Sequence, residues 1–197
     1  MFSKIRALAA IAVISCATQS PALAQTKTPA DAAILPIWKT ISLGTYANTS
    51  ALYNALDEAA IHIGVTAEEA LHRTAFAVST QRSEVELVIL SVAELGFAEP
   101  APRGAVYNRA RNLGYELCPA EVAPQLRLQY LNQRLGESID IAMQPIQTYE
   151  GEPIGLTLAN GGADLILVGA PASHESLVRP ATRLVFIRPL RVAEHIR

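Results

Sequence analysis

The sequence predicts an α+β domain, with about three helices in the N-terminal half packed on one face of a mainly antiparallel sheet of five to seven strands. Three observations carry this expectation. Apolar residues recur at helical spacing over residues 52–63 and 106–113. Glu84–Val92 closes in the uninterrupted run Leu87, Val88, Ile89, Leu90, the pattern of a strand covered on both faces. Beyond residue 126 the apolar residues alternate in short runs separated by turn residues, as in an antiparallel meander.

The chain starts with Lys4 and Arg6, an apolar run over Ala7–Ile14 and then Ala22-Leu23-Ala24, the three-part layout of a secretory signal peptide over residues 1–24. That run is too short for a membrane anchor, which needs roughly 20 apolar residues. A lipoprotein reading competes, in which Val13-Ile14-Ser15 precede a lipidated Cys16. Either reading implies export to the periplasm or beyond, with no transmembrane segment after cleavage.

Taking 24 residues from 197 leaves 173, enough for one domain with a sizeable core. Loss of Lys4 and Arg6 leaves 14 basic against 18 acidic residues, a net charge of about −4. A mildly acidic chain without a basic cluster has no electrostatic footprint for nucleic acid or for an anionic membrane. A single remaining cysteine, Cys118, rules out a disulfide-stapled scaffold.

Residues 25–36, with Pro29 and Pro36, read as a lead-in, residues 37–189 as one domain and residues 190–197 as a tail. Ile37–Leu43 is an expected first strand. Asn48 or Thr49 caps a helix carrying Leu52, Leu56, Ala59 and Ile63 on one face, ended by Gly64. Thr66 with Glu69 forms a capping box opening a second helix through Leu71. Glu84–Val92 is the expected central strand, and Val106, Ala110 and Leu113 mark a third helix ended by Gly114, with Arg103, Arg109 and Arg111 on a solvated face.

Leu126, Leu128 and Tyr130 then alternate with Arg127 and Gln129, and Ile139, Ile141 and Met143 alternate with Asp140. Paired as strands with their apolar residues on one side, these runs set Leu128 opposite Ile139 and Arg127 opposite Asp140. Asn160-Gly161-Gly162 is a hairpin turn between strands at 154–158 and 165–168, and Leu184–Ile187 forms a last strand.

Chemically capable side chains are densest in Gly114–Tyr130, which holds Glu116, Cys118, Glu121, Gln125, Arg127 and Gln129 between Pro119 and Pro124. Catalysis by Cys118 would need a base from His62, His72, His174 or His195, and Pro119 removes the following amide as an oxyanion donor. Glu116 and Glu121, with Glu94 or Asp140, would suit glycosidic cleavage, although one Trp and 6% aromatic residues leave few stacking platforms. No metal-ligand spacing, nucleophile elbow or nucleotide loop is present, so no cofactor and no metal are expected.

The favoured expectation is a non-enzymatic binding or interaction domain. Its recognition surface is the outward row Gln125, Arg127 and Gln129, with Glu116, Glu121 and Asp140 beside it, and its partner an envelope protein, a peptide or a glycan. The alternative is a cell-envelope hydrolase acting through Glu116 and Glu121 or through Cys118.

The segments LGYELCPAEVAPQLRLQY at Leu113–Tyr130 and VILSVAELGF at Val88–Phe97 resemble an uncharacterised family of small bacterial proteins. The likeness covers about Ile37–Arg188. It implies no activity.

Overall fold

The computed structural model describes residues 36–188. The expected signal peptide, residues 25–35 of the lead-in and the tail at 190–197 lie outside the described residues. Four helices are present among the described residues: α1 Thr49–Glu58, α2 Val65–His72, α3 Arg103–Asn112 and α4 Val122–Gln129. The strands are β1 Lys39–Leu43, β2 His62–Ile63, β3 Ser83–Ser91, β4 Ala101–Pro102, β5 Ser138–Ile141, β6 Ile146–Gln147, β7 Pro153–Asn160, β8 Leu165–Pro171, β9 Leu177–Val178 and β10 Arg183–Ile187.

Eight strands form one mostly antiparallel sheet in the order β1, β3, β10, β5, β7, β8, β2, with β6 joined to β7. The parallel pairs are β10 with β5 and β2 with β8. Strands β4 and β9 form a separate ribbon.

Strand alternation divides the apolar residues between two cores. Leu87 of β3, Val185 of β10, Ile139 and Ile141 of β5 and Leu156 and Leu158 of β7 face α1, α2 and α4. Val88 and Leu90, with Leu184 and Phe186, face the other way and pack on Val106, Tyr107 and Ala110 of α3. The helices therefore occupy both faces of the sheet, not one.

The third helix, the strand at Ser83–Ser91 and the hairpin at Asn160-Gly161-Gly162 stand where the sequence predicts them. Gly114, at φ 87°, follows α3 in the left-handed conformation that a Cβ would oppose. Strand β3 is covered on both faces but sits second from an edge, and the middle of the sheet is the parallel pair β10 and β5.

Other elements differ from expectation. The first helix stops at Glu58, because Ala60 adopts φ 53° and Ile61 N–H bonds to Leu56 C=O at 3.0 Å, a six-to-one helix stop built on alanine. The residues after it form β2. The Thr66–Glu69 capping box does not open α2. Its N-cap is Gly64, whose N–H bonds to Leu167 C=O, so the chain enters α2 directly from β2.

Residues 126–129 of the expected strand at 126–130 belong to α4, and Tyr130 is its C-cap. Pro124 stands in the first turn, where the missing N–H costs nothing. Asp140 consequently registers against Thr157 of β7 and Leu184 of β10, and the expected Arg127–Asp140 and Leu128–Ile139 pairs do not form.

Candidate functional site

Helix α4 sorts three of the sequence candidates onto one face, since Glu121, Gln125 and Gln129 are four residues apart. Glu121 is 1% exposed. Its Oε1 accepts from the Gly44 N–H at 2.8 Å and from Gln125 Nε2 at 3.0 Å, and its Oε2 accepts from the Ser79 N–H at 2.8 Å. Burial pushes this carboxyl up, but the bonds from Ser79, Gly44 and Gln125 outweigh it and hold the group below the usual glutamate range. Gln129 serves the edge strand β1, accepting from Ser42 N–H and donating to Ser42 C=O, both at 3.0 Å. These side chains tie loops and a sheet edge together.

Arg127 lies on the opposite side of α4 and is fully buried. Its guanidinium donates to Gln133 Oε1 and to Tyr130 C=O, and its Nε has no hydrogen-bond partner. The row Gln125, Arg127, Gln129 is thus no outward face: two of the three are buried, on different sides of a helix.

Cys118 is buried, and its Sγ donates to Val185 C=O at 3.5 Å. Burial pushes the thiol well above its ordinary range, which opposes thiolate formation. Glu116 is exposed and lines an open depression of about 570 Å3 with Arg111, Gly114, Tyr115 and Leu117. Its backbone closes a bridge to Ile187. Glu116 and Glu121 therefore serve separate environments and share no cleft.

Asp140 is the sequence candidate that the fold joins to other chemistry. In β5, Ile139 and Ile141 enter the helical core, so alternation turns Asp140 to the α3 face. The register with β7 brings Thr157 beside it, and the Thr157 hydroxyl donates to Asp140 Oδ1 at 2.8 Å. Arg103, the first residue of α3, places its NH2 group 3.6 Å from Asp140 Oδ2. Its Nε and NH1 donate to Ser176 Oγ and to the Tyr107 hydroxyl, each at 3.3 Å.

Backbone contacts hold this arrangement. No side chain caps α3, and the Arg103 and Gly104 N–H groups instead bond to Ser176 C=O and His174 C=O at 2.8 and 2.9 Å. A Cβ at Gly104 would stand 3.3 Å from His174 Nδ1, so the close approach of this loop favours glycine. Burial raises the Tyr107 pKa against the opposing effect of Arg103.

The cluster stands at a boundary. Helix α3 seals the β3 and β10 part of this face. The β7 and β8 part is half-exposed at Gly155, Ala159, Ile166, Val168 and Ala170, and exposed His62 registers beside Ile166 on β2. Arg103 and Asp140 side chains are 10% and 20% exposed, so the ion pair is mostly buried with one edge toward that open strip.

Sequence reasoning did not find Arg103, which it placed on a solvated helix face, nor Tyr107, Thr157 and Ser176. The available signal was Asp140 itself, a carboxylate facing away from two buried isoleucines, together with Arg103 and Tyr107 one helical turn apart.

Among the described residues no group of three or more His, Cys, Asp or Glu is placed to hold a metal ion, and no helix is long and apolar enough to cross a membrane. Comparisons with protein-family models, with curated proteins and with solved structures found no match to this chain.

Proposed function

We propose that this chain is an exported, non-enzymatic binding domain that takes a peptide or protein segment on the open half of the sheet, with Asp140 and Arg103 as the polar anchor at one end. One observation carries this reading: a mostly buried ion pair drawn from chain-distant elements borders a strip of half-exposed apolar residues. A charged pair withdrawn from water is a weak source of stability, so its position beside an open strip points to recognition.

The pairing within the cluster favours binding over catalysis. Each guanidinium nitrogen of Arg103 has a partner, and Asp140 is shared between Arg103 and Thr157. Among the described residues no free thiol or unpaired carboxylate stands with them. A segment lying along β7 and β8 would cover Val168, Ile166 and Ala159 with apolar side chains and offer N–H donors to the remaining lone pairs of Asp140. Export is supported by Lys4, Arg6, the run Ala7–Ile14 and Ala22-Leu23-Ala24.

The test is capture from a periplasmic extract on immobilised protein, read by mass spectrometry. Wild type enriches one or a few proteins, and Val168→Arg and Asp140→Asn lose them while keeping the wild-type circular dichroism spectrum. Equal capture by all three, or none by wild type, refutes the reading.

A further inference from the structure

Resting on the binding reading above, we propose that the occupant of the open strip is an amphipathic α-helix of a partner protein, with basic residues flanking its apolar stripe. The backbone of the sheet decides the conformation. Strand β7 lies between β5 and β8, and β8 between β7 and β2, so their N–H and C=O groups are committed to neighbours. Where β8 runs past β2, Thr66 and Ala67 at the start of α2 stand against it at Gly169. The strip is therefore a sheet face without an edge to which a strand could be added. A single segment lying on it buries its own backbone polar groups against apolar side chains, and a helix is the conformation that pairs them within itself.

The space fits one helix. On the same face α3 covers β3 and β10 with Val106, Tyr107 and Ala110. The strands run in the order β3, β10, β5, β7, β8. At about 4.8 Å per strand, the midline of β7 and β8 lies roughly 14 Å from that of β3 and β10, more than the ~10 Å diameter of a helix. A lane for a second helix is thus left beside α3. Along the strands, residues 155–159 cover roughly 13 Å, the length of about nine helical residues. Gly155, Ala159 and Ala170 keep the floor low, and Ile166 and Val168 rise from it, a relief that takes large apolar side chains between small ones.

Charge at the border selects the polar residues of the partner. Asp164 stands in the turn that joins β7 to β8. At the other end, Glu152 immediately precedes β7 and Glu175 lies in the connection leaving β8. All three are exposed, and none is in an ion pair among the described residues. Arg103 on this border is already committed to Asp140, Tyr107 and Ser176. The unmatched charge at the two ends of the apolar lane is thus negative, which favours Lys or Arg on the helix that fills it.

The experiment titrates the isotope-labelled chain, followed by amide NMR, with three synthetic peptides of about 14 residues, long enough to hold a helix when bound. One places leucine and lysine at helical spacing, the second has the same composition in strict alternation, and the third places leucine and glutamate at helical spacing. The first is expected to shift amides of residues 155–159 and 166–170 saturably and to gain helical circular dichroism, with the other two bound about tenfold more weakly. Val168→Arg and Ile166→Lys should each weaken the first peptide about tenfold, with the spectrum of the free protein otherwise unmoved. Equal binding of the alternating or the acidic peptide, or unchanged affinity in both variants, overturns the helix assignment. Absence of saturable shifts on the strip with all three peptides overturns it as well, while capture from the periplasmic extract still decides the binding reading on its own.

Discussion

Replacing Glu121 with Gln isolates the clamp that joins α4 to two earlier segments of the chain, at Gly44 and at Ser79. The two carboxylate oxygens serve different backbone donors, Gly44 N–H at Oε1 and Ser79 N–H at Oε2, each at 2.8 Å. A glutamine presents one oxygen and one NH2 group, so whichever way the amide turns, one of those N–H groups faces a donor. An N–H left without an acceptor costs about 1–3 kcal/mol, and loss of charge assistance in the surviving bond adds roughly 1 kcal/mol. Glu121→Gln is therefore expected to destabilise the chain by about 2–4 kcal/mol.

Urea unfolding followed by Trp38 fluorescence measures this, because Trp38 is the only tryptophan and packs edge-on against Tyr130 at 5.2 Å. The pH dependence has a defined sign. The folded pKa of Glu121 lies below the ordinary value of 4.5, so its contribution is full above that value and is lost as pH falls through the folded pKa. The gap between wild type and Glu121→Gln should stay constant from about pH 5.5 to 7.5 and narrow below about pH 4.5. A gap under about 0.5 kcal/mol at pH 7, or one that widens on acidification, refutes the clamp.

Ala60→Gly should stabilise the chain by up to about 1 kcal/mol in the same urea assay, since relief of the left-handed conformation at φ 53° exceeds the added freedom of the unfolded glycine. Gly169→Ala should cost about 1–3 kcal/mol, because a Cβ there would lie 2.8 Å from the Thr66 backbone carbon where α2 crosses β8. Cys118 should resist iodoacetamide at pH 8 in the folded chain and react in urea, with peptide mass spectrometry showing labelling in step with unfolding; rapid labelling of the native protein would contradict its burial.

Local punctuation made part of the fold legible. Pro102 before α3, Gly114 after it and Asn160-Gly161-Gly162 act on the residues beside them. The α4 segment misleads because Leu126, Leu128 and Tyr130 alternate like a strand, while Val122, Leu126 and Tyr130 also recur at helical spacing. This short helix is buried on nearly all sides, and its polar row at 121, 125 and 129 goes to β1 and neighbouring loops instead of to solvent. The end of α1 was hidden because alanine, not glycine, takes the left-handed position. The parallel pairing of β10 with β5 joins residues more than forty positions apart and leaves no local mark.

The candidate site divides in the same way. Asp140 was visible as a polar residue in an alternating run, but its partner Arg103 comes from α3, distant in the chain, and depends on a register that α4 had obscured. Glu121, Gln125 and Arg127 carry enough chemistry to draw notice, and the fold spends it on holding segments together. Chemical density in a sequence marks equally well a buried polar junction and a binding surface.

The most direct test of the binding reading is an amide NMR map of the protein with the partner recovered from the periplasmic extract. The account predicts shifts concentrated at Asp140, Thr157, Ala159, Ile166 and Val168, abolished by Val168→Arg. Shifts confined to surfaces away from β7 and β8, with this strip unmoved, would contradict it.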